Sequence, residues 1–185
     1  MRYILRYIAC IACCVALLLP SICAVAQHPG LRVIIIRHGE KPEKGPNLSC
    51  QGQNRAMALP DVIVKKFGKP AQILVPAMGS GKKTTRSRMF QTATPLANKY
   101  NIAVNSHFDE KDYQGLTSYL LSGKGTVLVI WEHDAISHIA KALGVAGAGK
   151  WRGSDYDSIW IIDSPGPKAV FTRDAENIHP AADCR

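Results

Sequence analysis

"RVIIIRHGEKPEKG", residues 32–45, is the stretch whose reading decides the fold. Val33, Ile34, Ile35 and Ile36 make an unbroken apolar run, the pattern of a strand covered on both faces rather than one with a wet side. The run stops abruptly at Arg37, His38, Gly39, Glu40, Lys41 and Pro42. Strands covered on both faces belong to sheets flanked by helices, and such sheets bind ligands just beyond the carboxyl ends of their strands. The charged cluster therefore falls where a site is expected.

The rest of the chain repeats the theme. Strand-like runs are predicted at 31–36, 71–77, 102–104, 125–131, 157–163 and 168–172. Helical segments are predicted at 52–68, interrupted or restarted at Pro60, and at 86–100, 113–123 and 135–144. The expected fold class is α/β, a three-layer α/β/α arrangement with a mainly parallel central sheet. "WEHDAI" (131–136) then places a second histidine, His133, just past the strand at 125–131. If that strand neighbours 31–36, His38 and His133 face each other at the rim of the sheet.

The amino terminus has a different character. Arg2 and Arg6 precede a mostly apolar stretch at 7–19, followed by Pro20 and Ala-Val-Ala at 24–26. This is the pattern of a secretory signal with cleavage expected after Ala26, leaving 27–185 as one domain in the periplasm or outside the cell. The apolar core is about a dozen residues, short of the roughly 20 that a spanning helix needs, so no stable membrane insertion is expected after cleavage. Four of the six cysteines lie in that leader. Cys50 and Cys184 remain, and an oxidising compartment makes them a candidate disulfide.

The formal net charge is +9, of which Arg2 and Arg6 supply two. A basic surplus suits an anionic partner. The lysines are scattered without interleaved aromatic residues, which disfavours nucleic acid and leaves a small phosphorylated substrate and an anionic lipid or glycan open. "PAMGSGKKTT" (76–85) fails the phosphate-loop pattern twice, with Pro76 at the first glycine position and Lys83 where Ser or Thr should be. No Gly-x-Ser-x-Gly elbow occurs, no Cys/His spacing suggests a metal, and no cofactor is expected.

What remains is a constellation suited to phosphoryl transfer. A neutral imidazole can attack phosphorus, and guanidinium groups match phosphate oxygens with paired donors. "IIIRHGEKP" resembles the Arg-His-Gly signature of the histidine phosphatase superfamily, the phosphoglycerate-mutase-like proteins. "SRMFQTATPLA" (87–97) is similar to that superfamily's Arg-x-x-Gln-Thr-Ala helix start, and "VLVIWEHDAI" (127–136) to its strand-then-histidine element. The resemblance implies that His38 takes the phosphoryl group while Arg37, Arg88 and His133 hold its oxygens. For the proton donor it offers two places. Glu110 in "DEKDYQGL" (109–116) matches the mutase-like branch and is preferred. Asp134, directly after the second histidine, matches the acid-phosphatase-like branch, and Asp112 is a third candidate by proximity.

The activity so implied is that of an exported, metal-independent phosphomonoesterase working through a phosphohistidine, on a phosphorylated sugar or envelope component. A phosphomutase and a non-catalytic binder of phosphorylated glycan or lipid are the alternatives. Lys41 is a candidate to widen the anion-attracting field or touch substrate, and Lys82 and Lys83 are weaker candidates for the pocket mouth. Asp155 and Asp157 in "DYDSIWIID" carry no derived role beyond holding the start of a strand.

Overall fold

The computed structural model describes residues 30–184; the leader and its cleavage point lie outside the described residues. Six strands form one sheet: β1 (Arg32–Arg37), β2 (Gln72–Leu74), β3 (Val104–Asn105), β4 (Thr126–Trp131), β5 (Ser158–Asp163) and β6 (Val170–Ala175). Among the described residues four helices accompany them: α1 (Cys50–Phe67), α2 (Ser87–Tyr100), α3 (Tyr113–Leu121) and α4 (His133–Ala142). The strand order is β3-β2-β4-β1-β5-β6.

β1 lies at the heart of the sheet because its side chains are apolar on both faces. Val33 and Ile35 join Leu116, Leu120, Ile136 and Ile139 from α3 and α4 in one core. Ile34 and Ile36 join Leu59 and Ile63 of α1 and Ala93 and Leu96 of α2 in the other. All four β1 residues are fully buried, each contributing about 1.5–3 kcal/mol of apolar burial. The two cores make the three layers.

α1 is continuous through Pro60, not interrupted there. Proline removes one helical hydrogen bond, but Leu59, Pro60 and Ile63 carry the buried stripe of α1 across that position. Ser49 caps the helix by accepting from the Gly52 amide.

β3, β2, β4 and β1 run parallel, whereas β5 pairs antiparallel with β1 and β6 antiparallel with β5. The reversal follows from where the chain travels after α4. Residues 143–157 return to the carboxyl end of β1, where Arg37 binds the Gly153 carbonyl. β5 then begins at that end and must run back down. The two long connections at this rim, 38–49 and 143–157, build the site.

Candidate active site

β1 and β4 are hydrogen-bonded neighbours with Arg37 opposite Trp131. The next residue pair is therefore His38 and Glu132, joined at the backbone by the His38 amide on the Trp131 carbonyl at 3.3 Å. The expected facing of His38 and His133 is off by one position. Glu132 lies across from His38, and His133 begins α4 beside it.

His38 is wholly buried and its ring is fixed at both nitrogens. Nδ1 lies 2.7 Å from the Gly39 carbonyl. A carbonyl only accepts, so Nδ1 carries a hydrogen and Nε2 is the nitrogen left for chemistry. Nε2 lies 3.0 Å from Glu132 Oε2. An imidazole lone pair facing a carboxylate lone pair would repel, so a proton sits between them. Glu132 Oε1 also accepts from the His133 amide at 3.1 Å and contacts His133 Nδ1. Burial opposes the Glu132 charge, yet the hydrogen bonds from His38 and His133 prevail and hold its carboxyl well below the ordinary range.

Arg37 is almost entirely buried. Its Nη1 donates to the carbonyls of Gly153 at 2.5 Å and Asp155 at 3.3 Å, and its guanidinium stacks on Tyr156 at 3.9 Å from the ring centre. Nη2 stands 4.0 Å from Glu132 Oε1, while Nε has no partner. An orphaned donor on a buried guanidinium is expensive unless a ligand meets it. Burial also pulls the Arg37 pKa below its ordinary value, which sharpens the demand for an anion. Tyr156 completes this wall with its ring edge-on to His38, centres 6.1 Å apart.

The loop that holds Arg37 is itself pinned. The Asp155 carboxylate accepts from the amides of Asp157 and Ser158 and from the Ser158 hydroxyl. The Trp151 indole donates to the Asp155 carbonyl. Gly153 packs against His133, whose Nε2 would stand 3.3 Å from an added methyl group.

On the other side, the Arg-x-x-Gln-Thr segment of α2 acts mostly as scaffold. The Thr92 hydroxyl accepts from the Gly39 amide at 3.0 Å, and Gln91 accepts from Leu48 and donates to Asn47. Arg88 donates to the carbonyls of Gly45 and Asn47 at 2.6 and 3.3 Å. It lines a cleft of about 300 Å³ together with Glu132, Glu110, Arg86, Thr85, Pro46 and Met89. Arg86 precedes α2 in the left-handed region at φ 60° and pairs with Asp109 at 3.0 Å.

Of the two expected proton donors, Glu110 lines the cleft, and its carbonyl accepts from the Trp131 indole at 2.9 Å. Asp134 projects outward with its side chain 86% exposed and Oδ1 3.2 Å from His133 Nε2. Asp112 caps α3 through the Gly115 amide. Beneath the loop that follows His38, buried Arg55 donates to Glu40 at 2.8 and 3.0 Å, to Glu176 at 2.7 Å and to Asp157 at 3.4 Å. A larger cleft of about 430 Å³ between α1 and α2 contains no charged side chain and lies away from His38.

Sequence reasoning assigned no role to Glu132, Tyr156, Thr92 or the Gly153 and Asp155 carbonyls. The only signal for Glu132 was its place directly after the strand-like run at 125–131, and the register that sets it across from His38 comes from the pairing of β1 with β4. The carbonyls carry no signature at all, since every residue has one.

No protein-family model matches the chain, and no curated protein matches it. Solved structures do. The phosphatase SixA in complex with tungstate superposes with a TM-score of 0.61 at 16% identity, covering 79% of this chain and 97% of that one. A mycobacterial glucosyl-3-phosphoglycerate phosphatase with inorganic phosphate gives 0.54 at 15% identity, covering 83% and 98%. These likenesses, over nearly the full length of each relative, give this chain the α/β fold of the histidine phosphatases.

Proposed function

We propose that this protein is an exported, metal-independent phosphomonoesterase that works through a phosphohistidine at His38. The observation that carries the reading is the buried ring of His38, held at Nδ1 by a carbonyl so that Nε2 is the nitrogen left for attack, next in the chain to Arg37, whose buried Nε has no partner. A phosphoryl group bound by Arg37 lies against Nε2. His133, at the start of α4, adds its ring and the positive end of the helix, and Arg88 meets the oxygens from the opposite wall. The solved relatives are described as phosphatases, two of them bearing tungstate or phosphate, which is consistent with an oxyanion in this cradle.

Export rests on the leader at 1–26, and the basic surplus favours a small anionic substrate, in keeping with a phosphorylated sugar or envelope component. Among the described residues no helix is long and apolar enough to cross a membrane. One feature favours the non-catalytic alternative, a binder without turnover: the Glu132 carboxylate already lies on His38 Nε2.

Hydrolysis of 4-nitrophenyl phosphate with chelator present, beside the His38→Ala variant, separates the two. Chelator-resistant turnover that falls by about 1000-fold or more in the variant is the expected result. Phosphate binding without turnover in the unaltered protein would leave the binder reading, and retained turnover in the variant would remove His38 as nucleophile.

A further inference from the structure

Glu132 raises a question the cradle alone does not answer. A catalytic phosphate site should repel a carboxylate, yet this one is placed against the reacting nitrogen itself, at 3.0 Å. The groups facing it come from every element of the rim. They are His38 and Arg37 at the end of β1, His133 on α4, Arg86 and Arg88 at the start of α2, and Glu110 ahead of α3. Cations and imidazoles outnumber the single acid, so a carboxylate is stable there.

Resting on the phosphatase reading above, we propose that Glu132 is the catalytic acid and base of this site, in place of Glu110 or Asp134. The imidazole can attack only after Nε2 gives up the proton that lies between it and Glu132. The Oε2 oxygen is the acceptor in hydrogen-bond reach. As the Nε2–phosphorus bond forms and the phosphorus–ester oxygen bond breaks, the leaving oxygen keeps the bonding electron pair and takes that proton from Glu132. In the second half, water attacks phosphorus and gives a proton to the Glu132 carboxylate. The Nε2–phosphorus pair returns to nitrogen, inorganic phosphate leaves, and Glu132 and His38 again share one proton.

The alternatives lack the contact. Asp134 is turned to solvent, and no hydrogen bond joins the Glu110 carboxyl to His38, His133 or either arginine of the cleft. Glu132 also has freedom to yield to the incoming phosphate. It precedes α4 in extended backbone (φ −79°, ψ 138°) and lines the same cleft as Arg86 and Arg88, toward which its carboxylate can turn. The low pKa of the resting carboxyl rises once a phosphate dianion sits beside it, which makes the acid form available at the moment the leaving group needs it.

The test is phosphoenzyme formation by E132Q from two esters, 4-nitrophenyl phosphate with a good leaving group and an alkyl ester, glycerol phosphate, with a poor one. General acid loss costs about 100-fold or more on the poor leaving group and, as expected here, less than about 10-fold on the good one. Inorganic phosphate should bind the variant at least as tightly as the unaltered protein, because one negative charge is gone from the cradle. This doubles as the check that the variant is folded. E132D, which keeps the acid one methylene shorter, should recover part of the alkyl-ester rate. Equal slowing on both esters, or no slowing, would overturn the role, as would the same leaving-group split appearing in Glu110→Gln or Asp134→Asn instead. If the unaltered protein forms no phosphohistidine from either ester, the phosphatase reading itself falls, and this role with it.

Discussion

His38 Nε2 and Glu132 Oε2 stand 3.0 Å apart, within hydrogen-bond distance, at the ends of two adjacent parallel strands. The pairing joins the nucleophile expected from β1 to a carboxylate supplied by β4. It sets a carboxylate among the arginines and imidazoles of the rim.

Arg37 is held by two carbonyls and a tyrosine face, an arrangement a lysine cannot reproduce. Arg37→Lys is expected to lose one charge-assisted contact, about 1.5–3 kcal/mol, or roughly 10- to 150-fold in kcat/KM on 4-nitrophenyl phosphate. Steady-state kinetics check it, and an unchanged kcat/KM would mean that Arg37 only pins the 143–157 loop.

Gly39 is needed for close approach rather than for an unusual backbone angle. A methyl group there would stand 2.7 Å from the Gly52 carbonyl, backbone that cannot step aside without moving α1. Gly39→Ala should destabilise by about 1–3 kcal/mol, roughly 2–12 °C in Tm, measured by thermal unfolding.

Arg55 of α1 ties the loop after His38 to the carboxy-terminal segment through Glu40 and Glu176. Removing it with Arg55→Met leaves buried carboxyl groups without their cation, a loss of about 3–5 kcal/mol. Urea unfolding gives the value.

Glu176 gives that network a pH dependence. Burial pushes its carboxyl up to about 8, although Arg55 pulls the other way. Between its ordinary 4.5 and about 8 the folded chain holds a proton that the unfolded chain has lost. The stability tied to this group is therefore complete below the ordinary value and declines as pH rises through about 8. Glu132 works in the opposite sense, its contribution fading only in acid as its depressed pKa is approached. Urea unfolding across pH 5 to 9 should show the decline in the unaltered protein and a flatter profile in Glu176→Gln.

Cys50 and Cys184 lie at disulfide distance with Cα atoms 4.7 Å apart, spanning 134 residues. Neither should be alkylated in the denatured, unreduced protein. Breaking the link with Cys184→Ser should cost about 2–5 kcal/mol.

The sequence by itself determined the layers and the location of the chemistry. The unbroken apolar runs at 31–36 and 125–131 demanded a sheet covered on both sides, and the charged residues that end them marked its rim. Arg37, His38 and His133 could be placed near that rim because each follows a strand-like run, whereas Arg88 and Glu110 entered only through the family resemblance. Tertiary structure decided which of them touch. Strand register set Glu132, not His133, opposite His38, and a register is fixed by pairing between segments nearly a hundred residues apart. The return of 143–157 to the same rim supplied Tyr156 and two carbonyls for Arg37 and forced β5 antiparallel. Backbone groups and long-range returns leave no local pattern of residue types, so only the folded chain could disclose them.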